Sequence, residues 1–288
     1  MKTTATVAAL CGILLAASLP TTEAAQIISI DFNQTGTAAT NAGSLGGNYN
    51  VTLRNNAGTA TDLHSADGTG VSGLAGDRAF DLTSATGMNL AGPYANFVSE
   101  THSDLAPLGA LTLAGWYKVA NGADLNGAYV IRNNSGTPVF GGWSVNFTSV
   151  GRMQFTVGNG TSSPVVNSSN NAFTSNGGNW VFFAVSWNGS NATFYNGTVA
   201  GSATAVGSPA FSQTMVVDSQ AASIGRSNLT TGALDGLLDD FKIYNTALDA
   251  TQIEAVRVSA IPEPSTFAML LAVSFGALLF WRKRSARA

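Results

Sequence analysis

Short apolar stretches alternate with turn-forming residues along most of this chain, and none has helical periodicity long enough to build an α-rich domain. Apolar and β-branched runs bounded by Gly, Asn, Ser and Thr are typical of strands. We predict strands over residues 27–32, 111–119, 143–147, 153–157, 180–187, 193–195 and 237–244. The pattern therefore predicts an all-β protein.

The stretch over residues 180–187 differs from the others because nearly every position is apolar. A strand of this kind is covered on both faces, so we expect it at the centre of a β-sandwich. Asn188-Gly189 and Asn196-Gly197 are hairpin turn signals on either side of the next strand. Further on, Asp249 or Thr251 begins a capping-box pattern, which predicts one short helix that closes the domain.

The N-terminus has the features of a signal peptide. Lys2 precedes an apolar run over residues 7–19, and Thr22-Glu23-Ala24 places small residues before a cleavage point. We predict a signal peptide over residues 1–24, with cleavage after Ala25 as the second choice and an uncleaved anchor as the alternative. The single cysteine, Cys11, lies inside the apolar run and is lost on processing, which excludes disulfides and thiolate metal sites from the mature chain.

The C-terminus contains a second apolar segment, which we predict to be a transmembrane helix. Residues 266–281 make roughly 24 Å of helix, short for a bilayer but workable when flanking side chains snorkel. The basic residues after it predict a cytoplasmic end. They are Arg282, Lys283, Arg284 and Arg287.

Pro262-Glu263-Pro264 precedes this helix, and the order of motif, short apolar helix and basic end resembles the PEP-CTERM sorting signal of Gram-negative bacteria. The resemblance covers a predicted tail over residues 259–288. It implies processing by an exosortase-type enzyme that recognises the motif and removes the helix. A permanent tail anchor is the alternative.

The charge of the body is mildly acidic. Residues 25–260 contain eight Lys and Arg against fourteen Asp and Glu, a net charge of −6, which argues against nucleic acid as a partner. Only 10% of the chain is charged and 45% is hydrophobic, which predicts a packed core.

Seven blocks of the body resemble the laminin G-like, concanavalin A-type jelly roll, and the last of them is the clearest. They are residues 76–82, 111–119, 142–145, 179–185, 194–197, 223–226 and 234–245. The resemblance implies a jelly-roll sandwich of two antiparallel sheets over residues 25–258. It implies much less about a ligand.

No catalytic constellation is evident. Enzymes of this fold that cleave glycans are expected to carry paired carboxylates, commonly Glu-x-Asp-x-x-Glu, and no such run occurs here. Asp239 and Asp240 are adjacent, so in a regular strand they point to opposite faces. The body contains two glutamates without an evident partner and two histidines without a spaced second ligand or nucleophile motif. These are Glu100, Glu254, His64 and His102.

A calcium site follows from the jelly-roll resemblance, because related domains hold a structural ion with acidic residues from their first and last strands. Asp31 and Asp239 occupy such strands and supply the hard oxygen ligands that Ca²⁺ prefers. In the alternative, a buried aspartate hydrogen-bonds loop amides instead. Three loop aspartates are alternative ligands for the ion: Asp62, Asp67 and Asp77.

Aromatic residues offer a second kind of candidate. Four tryptophans can stack on sugar rings, but their positions within apolar strands favour core packing. These are Trp116, Trp143, Trp180 and Trp187. Tyr49 and Tyr94, among Gly and Asn, are better candidates for exposed contacts, with turn packing as the alternative.

We therefore predict an exported, non-enzymatic protein of a Gram-negative bacterium. It passes through the inner membrane, is held there transiently by its C-terminal helix, and reaches the cell surface or extracellular matrix. There its jelly roll binds polysaccharide or a surface protein, with Ca²⁺ as the one cofactor considered. A structural matrix protein without a specific ligand and a divergent glycan-degrading enzyme are the alternatives.

Overall fold

The computed structural model describes residues 24–83, 92–98, 104–106, 108–121, 125–134, 140–217, 222–227 and 232–261. The predicted signal peptide, apart from Ala24, lies outside the described residues, as do Glu100 and His102. So do the Pro262-Glu263-Pro264 motif and the transmembrane helix and basic residues predicted after it. Among the helices that are described, none is long and apolar enough to cross a membrane.

Seven strands form the first sheet, and every pairing in it is antiparallel. They are β1 (Gln26–Ile30), β4 (Phe80–Asp81), β6 (Leu111–Lys118), β11 (Val181–Trp187), β12 (Ala192–Thr198), β13 (Thr204–Gly207) and β15 (Leu237–Tyr244). Their order across the sheet is β1-β15-β6-β11-β12-β13, and β4 pairs with β15. The first and last strands are therefore neighbours, which joins the two ends of the domain.

Eight strands form the second sheet, also antiparallel throughout. They are β2 (Ala38–Ala39), β3 (Val51–Arg54), β5 (Tyr94–Phe97), β7 (Tyr129–Asn134), β8 (Gly142–Phe147), β9 (Met153–Val157), β10 (Val165–Asn167) and β14 (Ser223–Ile224). The order is β10-β9-β8-β7-β14-β5-β3-β2. The two sheets pack face to face, which confirms the all-β two-sheet sandwich.

The core between the sheets consists of the alternate, inward-facing residues of each strand. Tyr117 of the first sheet meets Phe147 of the second with ring centroids 5.1 Å apart. Phe155 and Trp187 face each other in the same way at 5.9 Å. Each fully buried side chain of this size contributes about 1.5–3 kcal/mol relative to exposure, so this layer is the main source of stability.

A second apolar layer covers the outer face of the seven-stranded sheet. Helix α1 (Ala250–Ser259) places Ile253 in one buried cluster with Trp116, Phe182 and Ala184. Because β11 contacts a layer on each side, all seven of its residues are buried. This confirms the central, doubly covered strand predicted for residues 180–187.

The predicted helix and one of the two predicted turns are also observed. Asp249 and Gln252 form the capping box at the start of α1. Asn188-Gly189 lies between β11 and β12 as expected. Asn196-Gly197, however, lies within β12 and not in a turn. The reason is strand pairing, because Asn196 and Gly197 lie opposite Phe183 and Phe182 of β11. Glycine is required there by packing, since a Cβ would lie 2.9 Å from Cδ of Arg257 in helix α1.

Candidate functional site

A groove crosses one end of the seven-stranded sheet, where β6 and β12 end and β11 begins. It consists of three adjoining depressions of about 260, 400 and 470 Å³. The middle depression shares Asn176 and Thr198 with the first and Lys118 with the third. We refer to the three together as the end groove.

Trp180 and Lys118 line the middle depression. Trp180 immediately precedes β11 and packs in the layer under helix α1, with 7% of its surface exposed. Lys118 is the last residue of β6 and is partly exposed. An indole edge beside an ammonium group offers both an apolar contact and a hydrogen-bond donor to a ligand.

Amide and hydroxyl side chains line most of the remaining surface. Asn196 donates through Nδ2 to the carbonyl of Ala172 and accepts from Thr204 Oγ1 at 3.0 Å through Oδ1. Asn179 Nδ2 donates to the carbonyl of Asn176 at 2.8 Å. These hydrogen bonds fix the orientation of both amide side chains. Each amide can still form further hydrogen bonds, because it has two donors and two acceptor lone pairs.

The loop between Ser175 and Asn179 forms one wall of the groove through an unusual backbone. Asn176, Gly177 and Gly178 have φ values of 46°, 65° and 79°, so three consecutive residues are left-handed. Asn and Gly adopt this region at the lowest cost, which explains their use here. The curled loop projects Asn176, an exposed residue, over the first and middle depressions.

Carboxylates are scarce in the end groove. Of the described residues that line it, Asp235 in the third depression is the one acidic side chain. Glycoside hydrolysis by the usual mechanism needs two carboxyl groups on either side of the scissile bond. The described lining is therefore suited to binding and lacks the pair needed for that chemistry.

Asp239, one of the predicted calcium ligands, lies in β15 beneath the loop over residues 65–79, with 2% of its surface exposed. Its Oδ2 accepts from the amide of Val71 at 2.9 Å and its Oδ1 accepts from the amide of Asp240 at 2.7 Å. Burial, and then the charges of Asp240 and Asp77, raise the pKa of Asp239 well above its ordinary value. These bonds are the ones expected of a buried carboxylate that holds loop amides.

Asp31, the other predicted ligand, is exposed just after β1. It accepts from the amide of Asn33 at 3.2 Å and from Nε2 of Gln34 at 3.1 Å. Within the described part of the chain, no group of three or more His, Cys, Asp or Glu residues is placed to share a metal ion. The calcium site therefore stays a prediction, and the function proposed below does not depend on it.

Asp239 and Asp240 do not point to opposite faces, and that expectation is wrong. The register of β15 against β6 shifts between Asp239 and Lys242, and Asp240 has φ 49°. The bulge turns Asp240 onto the same outer face as Lys242, whose Nζ lies 3.3 Å from Asp240 Oδ1. A bulge inserts one residue and so breaks the alternation on which the expectation rested.

The remaining acidic and histidine candidates have structural partners. Asp77 accepts from the amide and hydroxyl of Ser72, both at 2.7 Å, and orders its own loop. Asp62 Oδ1 lies 2.8 Å from Nδ1 of His64, whose side chain is 1% exposed. Burial acts to raise the pKa of Asp62, but hydrogen bonds from the Gly36 amide and from His64 outweigh it and lower the pKa. Glu254 pairs with Arg257 at 2.7 Å, and Asp67 accepts from the Gly76 amide.

The aromatic candidates divide between core and surface. Trp116, Trp143 and Trp187 are no more than 1% exposed, so they are core residues. Tyr49 is also buried, and its hydroxyl donates to Asp104 at 3.0 Å, so the expectation of an exposed contact is wrong for this residue. Tyr94 is partly exposed on the outer face of the eight-stranded sheet. Trp180 is the one tryptophan of the four that lines the end groove.

No pattern in the sequence indicates the end groove. Its residues come from positions as far apart as Thr83, Lys118, Asn176, Thr198 and Asp235, and no short motif joins them. The run of Asn and Gly over residues 176–179 is the one local signal, and its composition predicts no more than a loop.

Comparison with protein families finds one match. The Laminin_G_3 model, described as the concanavalin A-like lectin/glucanases superfamily, matches residues 92–254. No curated protein matches the sequence.

Solved structures with the same fold include binding domains of larger proteins. The binding domain of Paraclostridial Mosquitocidal Protein 1 is 13% identical with a TM-score of 0.53, and the match covers 81% of this chain and 52% of that chain. A structure of botulinum neurotoxin type C, whose cell entry is dependent upon interaction with two ganglioside molecules, is 14% identical with a TM-score of 0.53, and the match covers 82% of this chain and 51% of that chain. This chain therefore spans about half the length of these toxin chains.

A third structure is matched over nearly its whole length. Domain 4 of AbnA, a GH43 extracellular arabinanase from Geobacillus stearothermophilus, in complex with arabinotriose, is 16% identical with a TM-score of 0.52. The match covers 81% of this chain and 98% of that domain. At these identities the three likenesses establish the fold alone.

Proposed function

We propose that this chain, which belongs to the concanavalin A-like lectin/glucanases superfamily, is a non-enzymatic carbohydrate-binding protein that takes a neutral glycan chain in its end groove. The observation that carries the proposal is the lining of the groove. Amide and hydroxyl groups of Asn176, Asn196 and Thr198 can exchange hydrogen bonds with sugar hydroxyls, and Trp180 can contact the C–H face of a sugar ring. The arabinotriose complex of the arabinanase domain supports a sugar ligand for this fold.

The shape of the groove favours an extended ligand. Its middle depression adjoins the other two and all three are open, so a chain can lie across them without its ends being enclosed. Each depression contributes a few polar contacts, and an elongated glycan makes them all at once. A single sugar uses only one depression and binds weakly, because few of these contacts are made.

Occlusion of the groove tests the proposal. Ala200 is exposed in the middle depression, and Ala200→Trp fills it with an indole. Ala210→Trp is the matched control, because Ala210 is also exposed and bridges Asn191 at the opposite end of β12. At about 3.4 Å per residue, the seven residues of β12 separate the two sites by more than 20 Å.

The measurement is a neutral-glycan array followed by titration calorimetry of the best binder with the full chain. We expect binding that Ala200→Trp weakens at least tenfold and Ala210→Trp leaves unchanged. Equal binding by all three proteins would place the ligand elsewhere on the domain. Absence of glycan binding by the unaltered chain would favour a structural matrix role, and release of reducing ends would favour the glycan-degrading alternative.

We further propose that the chain is exported and presented at the cell surface or in the extracellular matrix of a Gram-negative bacterium. The sequence features that support this are the N-terminal apolar run and the tail containing Pro262-Glu263-Pro264. Intact mass and terminal peptides of protein recovered from cells and medium test the proposal. We expect a mature chain that begins near Gln26 and ends near the Pro-Glu-Pro motif. An intact C-terminus at Ala288 in the inner membrane would contradict exosortase-type sorting and leave a membrane-tethered domain.

A further inference from the structure

The outer face of the eight-stranded sheet has a charge that differs from the rest of the body. The eight strands contain no Asp or Glu, although the body carries fourteen acidic residues in all. The charged residues of these strands are Arg54 in β3 and Arg132 in β7, and Arg226 follows β14 after one glycine. The charged residues of this sheet are therefore all positive, with Arg132 on a central strand and Arg54 on the strand next to one edge.

Polar side chains form one row across this face. Register places them directly opposite one another from strand to strand, in the order Thr52, Asn96, Ser223, Arg132, Ser144 and Thr156. The residues on either side of each, such as Val51, Ile131 and Val145, are buried in the core between the sheets. Because side chains alternate along a strand, the whole row points outward.

The arginines lie on and beside this row. Arg54 is paired in register with Tyr94, and its Nη1 donates to the carbonyl of Gly58 at 2.8 Å. The guanidinium carbon of Arg226 lies 3.6 Å from the centre of the Tyr94 ring. Thr52, Asn96 and Arg132 of the row are partly exposed, as are Arg54 and Tyr94, whereas Ser223, Ser144 and Thr156 are buried. The exposed part of the row therefore presents both charge and hydrogen-bonding groups to solvent.

Arg226 is a buried cation beside this face. It is 5% exposed, its Nη1 donates to the carbonyl of Gly92, and its Nε is buried with no partner among the described residues. The ion pairs formed by described residues include neither Arg54 nor Arg226. A buried cation is normally stabilised by a nearby negative charge, and here the described part of the chain supplies none.

We propose that this face is a second binding site, separate from the end groove, and that it takes an acidic polysaccharide. Neighbouring strands lie about 4.8 Å apart, so the exposed part of the row, from Thr52 on β3 to Arg132 on β7, spans roughly 14 Å. An extended polymer with a carboxylate or sulfate on successive sugars can place its anionic groups near Arg54 and Arg132 and its hydroxyls near Thr52 and Asn96. The buried charge of Arg226 supports the positive potential under the chain and holds Tyr94 in place.

The same features argue against two other anionic partners. A membrane surface needs apolar anchors beside the basic residues, and the outward positions of the central strands are polar. Nucleic acid needs a strongly basic surface, and the body carries a net charge of −6. Hydroxyl and amide groups interleaved with a few arginines fit a hydroxyl-rich polyanion.

The test uses the full chain with polygalacturonate and with the same polymer after its carboxyl groups have been reduced to alcohols. Arg54→Gln and Arg132→Gln remove charge from the face. Arg152→Gln is the matched control. Arg152 lies in the turn between β8 and β9, so its substitution removes the same charge at a position away from the row. Thermal unfolding of each variant establishes that it is folded.

We expect binding to polygalacturonate, little binding to the reduced polymer, and affinity that falls steeply between about 0.05 and 0.5 M salt as charges are screened. Loss of one charge-assisted hydrogen bond predicts about a tenfold weakening for Arg54→Gln and for Arg132→Gln, with no change for Arg152→Gln. Equal affinity for both polymers, or equal weakening by all three variants, would overturn the proposal. Tighter binding to phosphatidylglycerol vesicles that the same two variants abolish would also overturn it and assign the face to a membrane.

The outcome is independent of the end groove. Ala200→Trp should leave polygalacturonate binding intact, and the arginine variants should leave neutral-glycan binding intact. If one of the two proposals fails, the other can therefore still be tested by itself.

Discussion

The carboxylate of Asp239 accepts a hydrogen bond from the amide of Val71 at 2.9 Å, across 168 residues of sequence. This bond ties the loop over residues 65–79 to the outer face of the seven-stranded sheet. Val71 and Ala79 of that loop then complete the apolar layer that buries Trp116. One buried carboxylate thus connects the N-terminal third of the chain to its last strand.

The raised pKa of Asp239 predicts a pH-dependent stability. The folded state holds the proton of Asp239 more tightly than the unfolded state, because burial and the charges of Asp240 and Asp77 disfavour the carboxylate. This contribution is fully present below the unfolded pKa of about 3.9 and is lost as the pH rises through the raised folded value. Asp239→Asn cannot lose a proton, so we expect the wild type to lose stability relative to this variant as the pH rises from 3.5 to 8.

Urea unfolding of both proteins at several pH values in that range measures the effect. Asp67→Asn, at an exposed loop position, provides the control for general effects of charge removal. A difference between wild type and Asp239→Asn that does not change with pH would contradict the assignment.

Arg257 connects helix α1 to the rim of the end groove. Its Nη2 and Nε donate to Glu254 at 2.7 and 2.8 Å, and its Nη1 donates to the carbonyl of Thr198 at 2.7 Å. The single ammonium group of lysine cannot form all three of these hydrogen bonds, so we expect Arg257→Lys to lower the free energy of unfolding by about 1–3 kcal/mol. We also expect weaker neutral-glycan binding, because Thr198 lines two of the depressions.

The pH dependence of this ion pair has the opposite sign to that of Asp239. Hydrogen bonds from Arg257 lower the pKa of Glu254, so its contribution is present above the unfolded pKa and is lost as the pH falls through the lowered folded value. Chemical unfolding near pH 7 and near pH 3 should therefore show a smaller difference between Arg257→Lys and wild type at the acidic end. If Arg257→Lys unfolded like the wild type at both pH values, the hydrogen bonds of the Arg257 guanidinium would not contribute to the free energy of unfolding.

Gly236 permits a close approach of two strands beside the end groove. A Cβ at this position would clash with the carbonyl oxygen of Lys118, a backbone atom that cannot move without shifting its strand. We expect Gly236→Ala to cost at least about 2 kcal/mol of stability, since β15 must move away from β6. Gly109→Ala is the control, because a Cβ there has no atom within 4 Å, and it should be neutral or slightly stabilising in thermal unfolding. Similar melting temperatures for the two variants would contradict this.

Thr112 joins the connection before helix α1 to the sheet. Its buried hydroxyl donates to the carbonyl of Thr246 at 2.8 Å and accepts from the amide of Leu248 at 2.9 Å. Thr112→Val keeps the shape but leaves both backbone groups without a partner, so we expect a loss of about 2 kcal/mol.

Thr193→Val is the comparison for Thr112→Val. Thr193 Oγ1 shares an exposed hydrogen bond with Ser208 at 2.8 Å. Because water can replace that bond, its loss should cost less than about 0.5 kcal/mol in denaturant unfolding. If the two threonine variants were equally stable, the hydroxyl of Thr112 would contribute no more than an exposed one.

Sequence patterns identified the parts of the fold that depend on local chemistry. The continuous apolar run of β11 indicated a strand covered on both sides, and Asp249 with Gln252 indicated the start of helix α1. Both features follow from residues close together in the chain, where period and capping chemistry can be recognised directly. The short strands β2, β4 and β14, each of two residues, carry too little pattern to be recognised alone.

Tertiary structure decided which polar residues meet. Asn196-Gly197 has the composition of a turn, but pairing with Phe183 and Phe182 of β11 keeps it inside β12. Asp239 and Asp240 share one face because of a β-bulge, and nothing in the neighbouring sequence predicts that bulge.

The two candidate binding surfaces show the same division. The amino-acid sequence by itself determined an acidic all-β body with few charges and predicted leader and sorting segments at its ends. Only the tertiary structure joined Lys118, Asn176 and Thr198 into one groove and aligned Thr52, Asn96 and Arg132 in one row. Strand pairing brings together residues far apart in the chain, and register, which depends on the whole core, decides which of them become neighbours.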